Sequence, residues 1–333
     1  MKSKKLFYIT ALIIIVLILL GASYLTVSHY IHKVPSVSEN MIVDIPKGAG
    51  LKDISSKLKQ AGVIKSDELF ILYVMSEGWQ NELKAGEYEF DKGSTMSEVA
   101  AKIVTGDVLL YRVTIPEGLT VKEIAGLLGK KGIVDEQEFL LETQNKELLR
   151  ELLGHGAISF EGYLFPETYS YSRAPSSQEF IRLMVNRFKT VYEPLSDMRD
   201  KVNLTDKEVL TLASIIEKET GAAFERPIIS AVFHNRLRIG MKLDSDPTVI
   251  YGMGERYAGN LRRRDLGEAT EYNTYVIKGL PPGPIANPGK DSIMAALNPA
   301  DVRYLYFVSR GDGTHHFSPN YREHQRAVYK YQR

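Results

Sequence analysis

The sequence contains no cysteine. That excludes disulfides, thiolate metal sites and a cysteine nucleophile, and it is compatible with an oxidising exterior. Net charge is nearly absent as well, with 42 Lys+Arg against 41 Asp+Glu. Such a balance gives no bulk attraction to nucleic acid, and no long block of one sign forms a polyanion-binding tail. The expected partner is a roughly neutral ligand. Also missing are a G-x-x-x-x-G-K-[ST] loop for phosphates, a G-x-S-x-G elbow for a serine nucleophile and an H-E-x-x-H pair for zinc. His315 and His316 are adjacent and diverge on any regular element, and only His324 lies nearby. No metal and no cofactor are expected.

What is present begins with size. A chain of 333 residues with 44% apolar and 25% charged residues can bury a sizeable core, and its length implies two or three modules. Residues 6–27 carry no charge. About 22 residues rising roughly 1.5 Å each give about 33 Å of helix, enough for a hydrocarbon core of about 30 Å. Lys2, Lys4 and Lys5 precede the run and only Lys33 follows closely, which predicts a cytoplasmic tail over 1–5 and an outside location beyond the span. The competing reading is a cleaved signal peptide, with Gly21, Ala22 and Ser23 as small residues for a peptidase. The length of the run favours an anchor. Residues 28–40, with Pro35 and several serines, read as a short tether.

An internal repeat follows. Val43-Asp44-Ile45-Pro46-Lys47-Gly48, then Leu51, Ile54, Leu58 and Gly62-Val63-Ile64, recurs in register as Val113-Thr114-Ile115-Pro116-Glu117-Gly118, then Val121, Ile124, Leu128 and Gly132-Ile133-Val134. A fainter copy runs from Tyr88-Glu89-Phe90 past Gly93 to Gly106. Alternating apolar residues, a glycine turn and then apolar residues three or four apart describe a strand followed by a short amphipathic helix. Such a unit cannot bury its face alone, so the copies should pack into one or two small α+β modules over 41–110, with the third leading into the next domain. The pattern is similar to LysM-type modules, which bind the N-acetylglucosamine of cell walls. The alternative is a spacer or packing scaffold.

Thr205 with Glu208 is a capping box and Gly221 a natural stop, which predicts a helix over 206–220. At about 100° per residue, Val209, Leu212, Ala213, Ile215 and Ile216 share an apolar arc, and Glu219 falls about 20° from Leu212, inside it. Lys218 points away, and Glu217 lies at the edge of the buried face. A carboxylate on the inner face is either paired with a buried cation, Arg226, Arg236 and Arg238 being close along the chain, or left in a poorly solvated pocket. The second arrangement raises its pKa and makes a general acid.

Around that helix the sequence is dense in glycine-, proline- and tyrosine-rich motifs. They are Glu161-Gly162-Tyr163-Leu164-Phe165-Pro166-Glu167-Thr168-Tyr169, Asn235-Arg236-Leu237, Ser245-Asp246-Pro247-Thr248-Val249-Ile250-Tyr251, Tyr272-Asn273-Thr274-Tyr275 and Gly279-Leu280-Pro281-Pro282-Gly283-Pro284-Ile285. Ring faces and short polar groups on loops suit a flat, polar ligand such as a sugar chain, although each residue taken singly could equally shape a loop or fill a core. Further helices are expected around 175–195 and 225–239, and strands near 304–309.

Taken in order with Ala213-Ser214-Ile215-Ile216-Glu217-Lys218-Glu219-Thr220, these motifs closely resemble the YceG-like endolytic murein transglycosylases, the MltG family. The resemblance covers essentially the whole chain. It implies an α+β protein with an N-terminal transmembrane helix, LysM-like α+β modules over 41–110 and a mixed α+β catalytic domain over 111–333. It also implies that Glu219 is the catalytic acid of a lyase, cutting the bond between N-acetylmuramic acid and N-acetylglucosamine with formation of 1,6-anhydro ends. One carboxyl then suffices, whereas ordinary glycosidases use two. Glu217, Glu161 and Asp246 are candidates for supporting roles. Tyr169, Asn235, Thr248, Tyr251, Tyr272, Asn273, Tyr275 and His315 are candidates for substrate binding. Peptidoglycan strands are the implied partner, with peptidoglycan synthases beside them. Two other readings are a lysozyme-type hydrolase, which needs a second carboxylate facing Glu219, and a non-catalytic wall-binding adapter.

Overall fold

The computed structural model describes residues 2–172 and 175–332; Met1, at the head of the expected cytoplasmic tail, lies outside them. The chain divides into two compact units, Met1–Tyr111 with Ser170–Arg173, and Arg112–Tyr169 with Ala174–Arg333.

The first unit begins with α1 (Lys2–Lys33), the one helix among the described residues long and apolar enough to cross a membrane by length and composition. Its apolar side chains from Leu6 to Leu20 stand mostly open to the surroundings, which in water would be unfavourable along the whole helix. After it come β1 (Met41–Ile45), α2 (Leu51–Gln60), α3 (Asp67–Ser76), β2 (Gly86–Phe90) and α4 (Met96–Thr105). β1 and β2 pair antiparallel, Met41 opposite Phe90 and Ile45 opposite Gly86. Both strands lead into a helix through a glycine in the left-handed region, Gly48 at φ 84° and Gly93 at φ 93°, where a side chain would be strained. Thr95 and Glu98 close a capping box on α4. Val43, Ile45, Ile54, Leu58, Phe70, Val74, Tyr88, Phe90, Val99 and Ile103 form the core.

Residues 28–40, expected as a short tether, are tied into the first unit. α1 continues through Lys33, and Ile31 and Val37 are buried in the core just described. Ser36 and Val37 donate their backbone N–H groups to Ser94 O at 2.8 and 3.2 Å, and the His32 ring meets Tyr73 edge-on at 5.4 Å. The serines and proline of the expected short tether form a short extended segment tied to the start of α4.

The third copy of the repeat is β3 (Tyr111–Thr114) followed by α5 (Val121–Lys130). It again has a left-handed glycine, Gly118 at φ 75°, and a capping box, Thr120 with Glu123. β3 pairs with β4 (Thr168–Tyr171). The second unit continues with α6 (Glu136–Thr143), α7 (Lys146–Leu153), α8 (Ser177–Tyr192), α9 (Arg199–Val202), α10 (Asp206–Glu219), α11 (Arg226–Arg238), α12 (Asp246–Met253) and α13 (Lys290–Leu297). An antiparallel hairpin of β5 (Tyr306–Ser309) and β6 (His315–Ser318) and the final α14 (Tyr321–Tyr331) complete it. α8, α10 and α11 fall where helices were expected. α10 runs through the core: Val209, Leu212, Ala213, Ile215 and Ile216 are fully buried beside Ile229, Phe233, Ile285 and Ile293.

Candidate active site around Glu219

α10 starts on the Thr205–Glu208 capping box and ends at Glu219, one residue earlier than Gly221 suggested. Thr220 already has extended backbone, φ −146°, and Gly221 takes no positive φ among the described glycines. Glu219 is thus the last helical residue. The inner arc continues to the point where the chain turns away, which leaves its carboxyl half-buried against α12 and the loop after it.

Among the described residues, no cation is bonded to that carboxyl. Of the nearby arginines, Arg226 pairs with Glu217 at 3.2 Å, and Arg238 is exposed. The guanidinium of Arg236 donates to the carbonyls of Leu305 and Leu243, each at 2.7 Å, and to Asp244 at 3.4 Å, and it stacks over Tyr306. The partner of Glu219 is Ser245, whose hydroxyl donates to Oε1 at 2.5 Å. Burial pushes the Glu219 carboxyl up to about 7. The Ser245 bond opposes this, the charge of Asp246 adds to it, and the more distant charge of Arg236 opposes it. A carboxyl near 7 exchanges its proton readily at neutrality, as a general acid that must later act as a base requires.

The site is closed in by α12 and the segment 272–275. Asp246, exposed, accepts a hydrogen bond from the Tyr275 hydroxyl at 2.7 Å. Tyr251 and Tyr272, both partly exposed, face each other with ring centroids 4.8 Å apart. Of the sequence-predicted residues, Asp246, next to Ser245, and Tyr275 are the ones that interact electrostatically with Glu219, while Tyr251 bonds to Glu161.

Others are placed differently. Thr248 and Asn273 have no exposed surface and cannot touch a substrate directly. Thr248 braces Ser245, and Asn273 donates its amide to the carbonyls of Glu268 and Leu266. Tyr169 is buried, its hydroxyl bonded to Phe165 O at 2.6 Å, and acts as a core aromatic. Asn235 clamps the carbonyls of Val302 and Tyr304 at 2.8 and 2.9 Å. Glu217 is held by Arg226 and by the Gly289 N–H at 2.9 Å, a buried structural pair. Glu161 accepts from the Val121 N–H at the start of α5, from the Asn287 amide and from Tyr251; burial pushes it up to about 8 against those donors. His315 is clamped through its backbone N–H and Nδ1 by Glu225 at 2.8 and 2.7 Å, and Glu225 also receives the Thr220 hydroxyl at 3.4 Å.

Ser245 and Glu225 were not singled out from sequence, and Arg226, expected as a possible partner of Glu219, pairs with Glu217 instead. Ser245 sits 26 residues from Glu219, and no periodicity links a loop serine to a helix end that far away. A cavity of about 830 Å³ lined by Leu152, Leu153, Tyr163, Phe188 and Tyr192 lies instead at the Thr205–Glu208 end of α10. That is about 20 Å from Glu219 along the helix axis, so it is separate from this site.

Comparison with known proteins agrees with this arrangement of elements. The chain is 31% identical to the endolytic murein transglycosylase of Bacillus subtilis, over 94% of this chain and 91% of that protein. It is 29% identical to the endolytic murein transglycosylase of Streptococcus pneumoniae strain D39, covering 86% of this chain but 57% of that longer protein. A 2.6 Å crystal structure of a YceG-like protein from Listeria monocytogenes superposes with a TM-score of 0.59 at 32% identity, covering 86% of this chain and 98% of that one. With residues 43–330 matching the YceG-like family as well, the chain belongs to the YceG-like family.

Proposed function

We propose that this protein is an endolytic peptidoglycan lytic transglycosylase with Glu219 as its single acid/base, anchored by α1 with its N-terminus in the cytoplasm and residues 111–333 forming the catalytic part outside. The observation that carries the reading is the state of Glu219: a carboxyl at a helix end, half-buried, without a bonded cation and raised to about 7. The names of the Bacillus and Streptococcus relatives support the substrate. Protonated, Glu219 gives its proton to the glycosidic oxygen between N-acetylmuramic acid and N-acetylglucosamine. As a carboxylate it then takes the proton of the muramic acid C6 hydroxyl, which closes onto C1 as a 1,6-anhydro ring. No water is consumed. An intramolecular nucleophile needs positioning more than activation, so a second carboxylate is not required. Residues 41–110 are assigned as a LysM-like module, and peptidoglycan synthases as partners follow from a role in ending strand elongation.

The test is mass spectrometry of products from uncrosslinked peptidoglycan strands incubated with the full-length protein in nanodiscs and with Glu219→Gln. The expected outcome is anhydro-muramic ends from the wild type and a loss of at least about a hundredfold in the variant, the lower bound for removing a general acid. Reducing ends would instead indicate hydrolysis, with Asp246 as the candidate second carboxylate. No cleavage by the folded wild type would indicate an adapter.

A further inference from the structure

Ser245 occupies the N-cap position of α12, yet its side chain makes no cap bond. Its backbone is fixed by two buried threonines instead. The Ser245 N–H donates to Thr274 Oγ1 at 3.0 Å, and Thr248 Oγ1 donates to the Ser245 carbonyl at 2.7 Å. The two hydroxyls lie 2.8 Å apart. Each hydroxyl has one proton, and that of Thr248 goes to the Ser245 carbonyl. Thr274 must therefore be the donor to Thr248, and the three bonds form a closed ring with one sense of direction. Ser245, Thr248 and Thr274 are all within 1% of complete burial. Two threonines without access to solvent thus hold one serine by both its backbone polar groups. The hydroxyl left over points to Glu219 Oε1 and has no other acceptor among the described residues.

We infer that Ser245 is a positioning residue that divides the labour between the two oxygens of Glu219, a reading that rests on Glu219 being the acid/base. Because the serine proton is directed at Oε1, that oxygen acts as an acceptor throughout, and the transferable proton resides on Oε2. In the first half of the reaction the proton leaves Oε2 for the glycosidic oxygen as the bond from C1 to that oxygen breaks, and the N-acetylglucosamine leaves with a free hydroxyl. In the second half Oε2 takes the C6 hydroxyl proton as the new bond from O6 to C1 forms, so the carboxyl ends as it began. The same oxygen faces the sugar in both halves, and the carboxyl need not rotate between them. The donated bond also favours the carboxylate, as a hydrogen bond to a charged form does. The other charged or titratable groups facing Glu219 are Asp246 on α12, Arg236 on α11 and Tyr275 in the 272–275 segment. None of them bonds to Glu219, so a change at Ser245 is read without a competing partner.

The experiment compares wild type, Ser245→Ala and Ser245→Cys in three measurements. These are the pH titration of the Glu219 side-chain carboxyl by ¹³C NMR, assigned by its loss in Glu219→Gln, the pH profile of kcat and KM for anhydro-product formation, and thermal melting. A thiol fills the serine's place but donates weakly, so the cysteine variant tests the bond if the alanine variant does not fold. The expected result is an upward move of the Glu219 midpoint by about one pH unit, matching the worth of one hydrogen bond to a charged group. The alkaline limb of activity should move with it, and kcat should fall about tenfold or more while KM and the melting temperature stay near wild type. An unmoved Glu219 midpoint in a folded variant, or a fall confined to KM and melting temperature, would overturn the inference. Full anhydro-product formation by Glu219→Gln would overturn the acid/base reading instead, and the NMR midpoints would still report on the Ser245 bond by themselves.

Discussion

At the scale of residues, Glu217 and Glu219 show how two acids on one helix end reach opposite fates. Glu217 meets Arg226 and the Gly289 N–H, and its charge is matched inside the protein. Among the described residues, the hydrogen-bond partner of Glu219 is a serine hydroxyl, and its ionisation is opposed by burial. The consequence for stability has a definite sign. A carboxyl whose pKa in the folded state is raised, here from 4.5 to about 7, places no cost on folding below pH 4.5, where it is protonated in both states. As pH rises through 4.5 to 7, the unfolded chain ionises and the folded one does not, and the native state loses up to about 3 kcal/mol. Glu219→Gln removes that term. Chemical denaturation should find the variant matched to wild type near pH 4 and more stable by about 3 kcal/mol at pH 8, with Glu161 cancelling because both proteins carry it. Equal pH dependence of the two proteins would show that Glu219 titrates like a solvated acid.

At the scale of elements, the sequence was readable where one face of a helix or strand decides the structure. The capping box at Thr205, the glycines at 48, 93 and 118, and the apolar arc of α10 are local patterns, and the elements formed on them. The ring of Ser245, Thr248 and Thr274 could not be read, because its members come together only when α12 packs against the 272–275 segment. Burial likewise turned several polar residues of the motifs into scaffold: Thr248 and Asn273 looked like sugar contacts by type and lie in the interior. The stretch after α1 misled for a related reason, since Pro35 and its serines carry the composition of a loop while Ile31 and Val37 belong to a core. That correction makes a prediction. A soluble fragment beginning at residue 34 lacks Ile31 and the His32–Tyr73 contact, whereas one beginning at residue 28 retains both. Emptying a buried isoleucine site costs about 2–4 kcal/mol, so calorimetry should find the first unit of the shorter fragment melting about 10 °C or more below that of the longer one. Coincident melting would mean that α1 contributes nothing to the core of the first unit.

At the scale of the whole molecule, the anchor and the enzymatic reading constrain each other. Peptidoglycan lies outside the cell membrane, so a protein that cuts it must carry its second unit across, and α1 must be oriented with the lysines at its start inside. The run from residue 6 to residue 27 is uncharged, three lysines precede it and one follows closely, the asymmetry that retains an N-terminus in the cytoplasm. Since α1 passes without a break into the core of the first unit, that unit should emerge directly at the outer face of the membrane. The absence of native cysteine makes this measurable without background. Ser3→Cys places a thiol before the span, and Glu77→Cys places one at an exposed position after α3. In intact cells freed of any outer barrier, a membrane-impermeant maleimide should label the residue 77 variant and leave the residue 3 variant unlabelled until the membrane is opened. Labelling of residue 3 alone would put the catalytic unit in the cytoplasm, away from its proposed substrate, and would end the transglycosylase reading however well Glu219 is placed. Loss of the residue 3 label together with a mature chain shorter by about 22 residues would show a cleaved leader instead, and the first unit would then have lost the membrane attachment that the continuous helix provides.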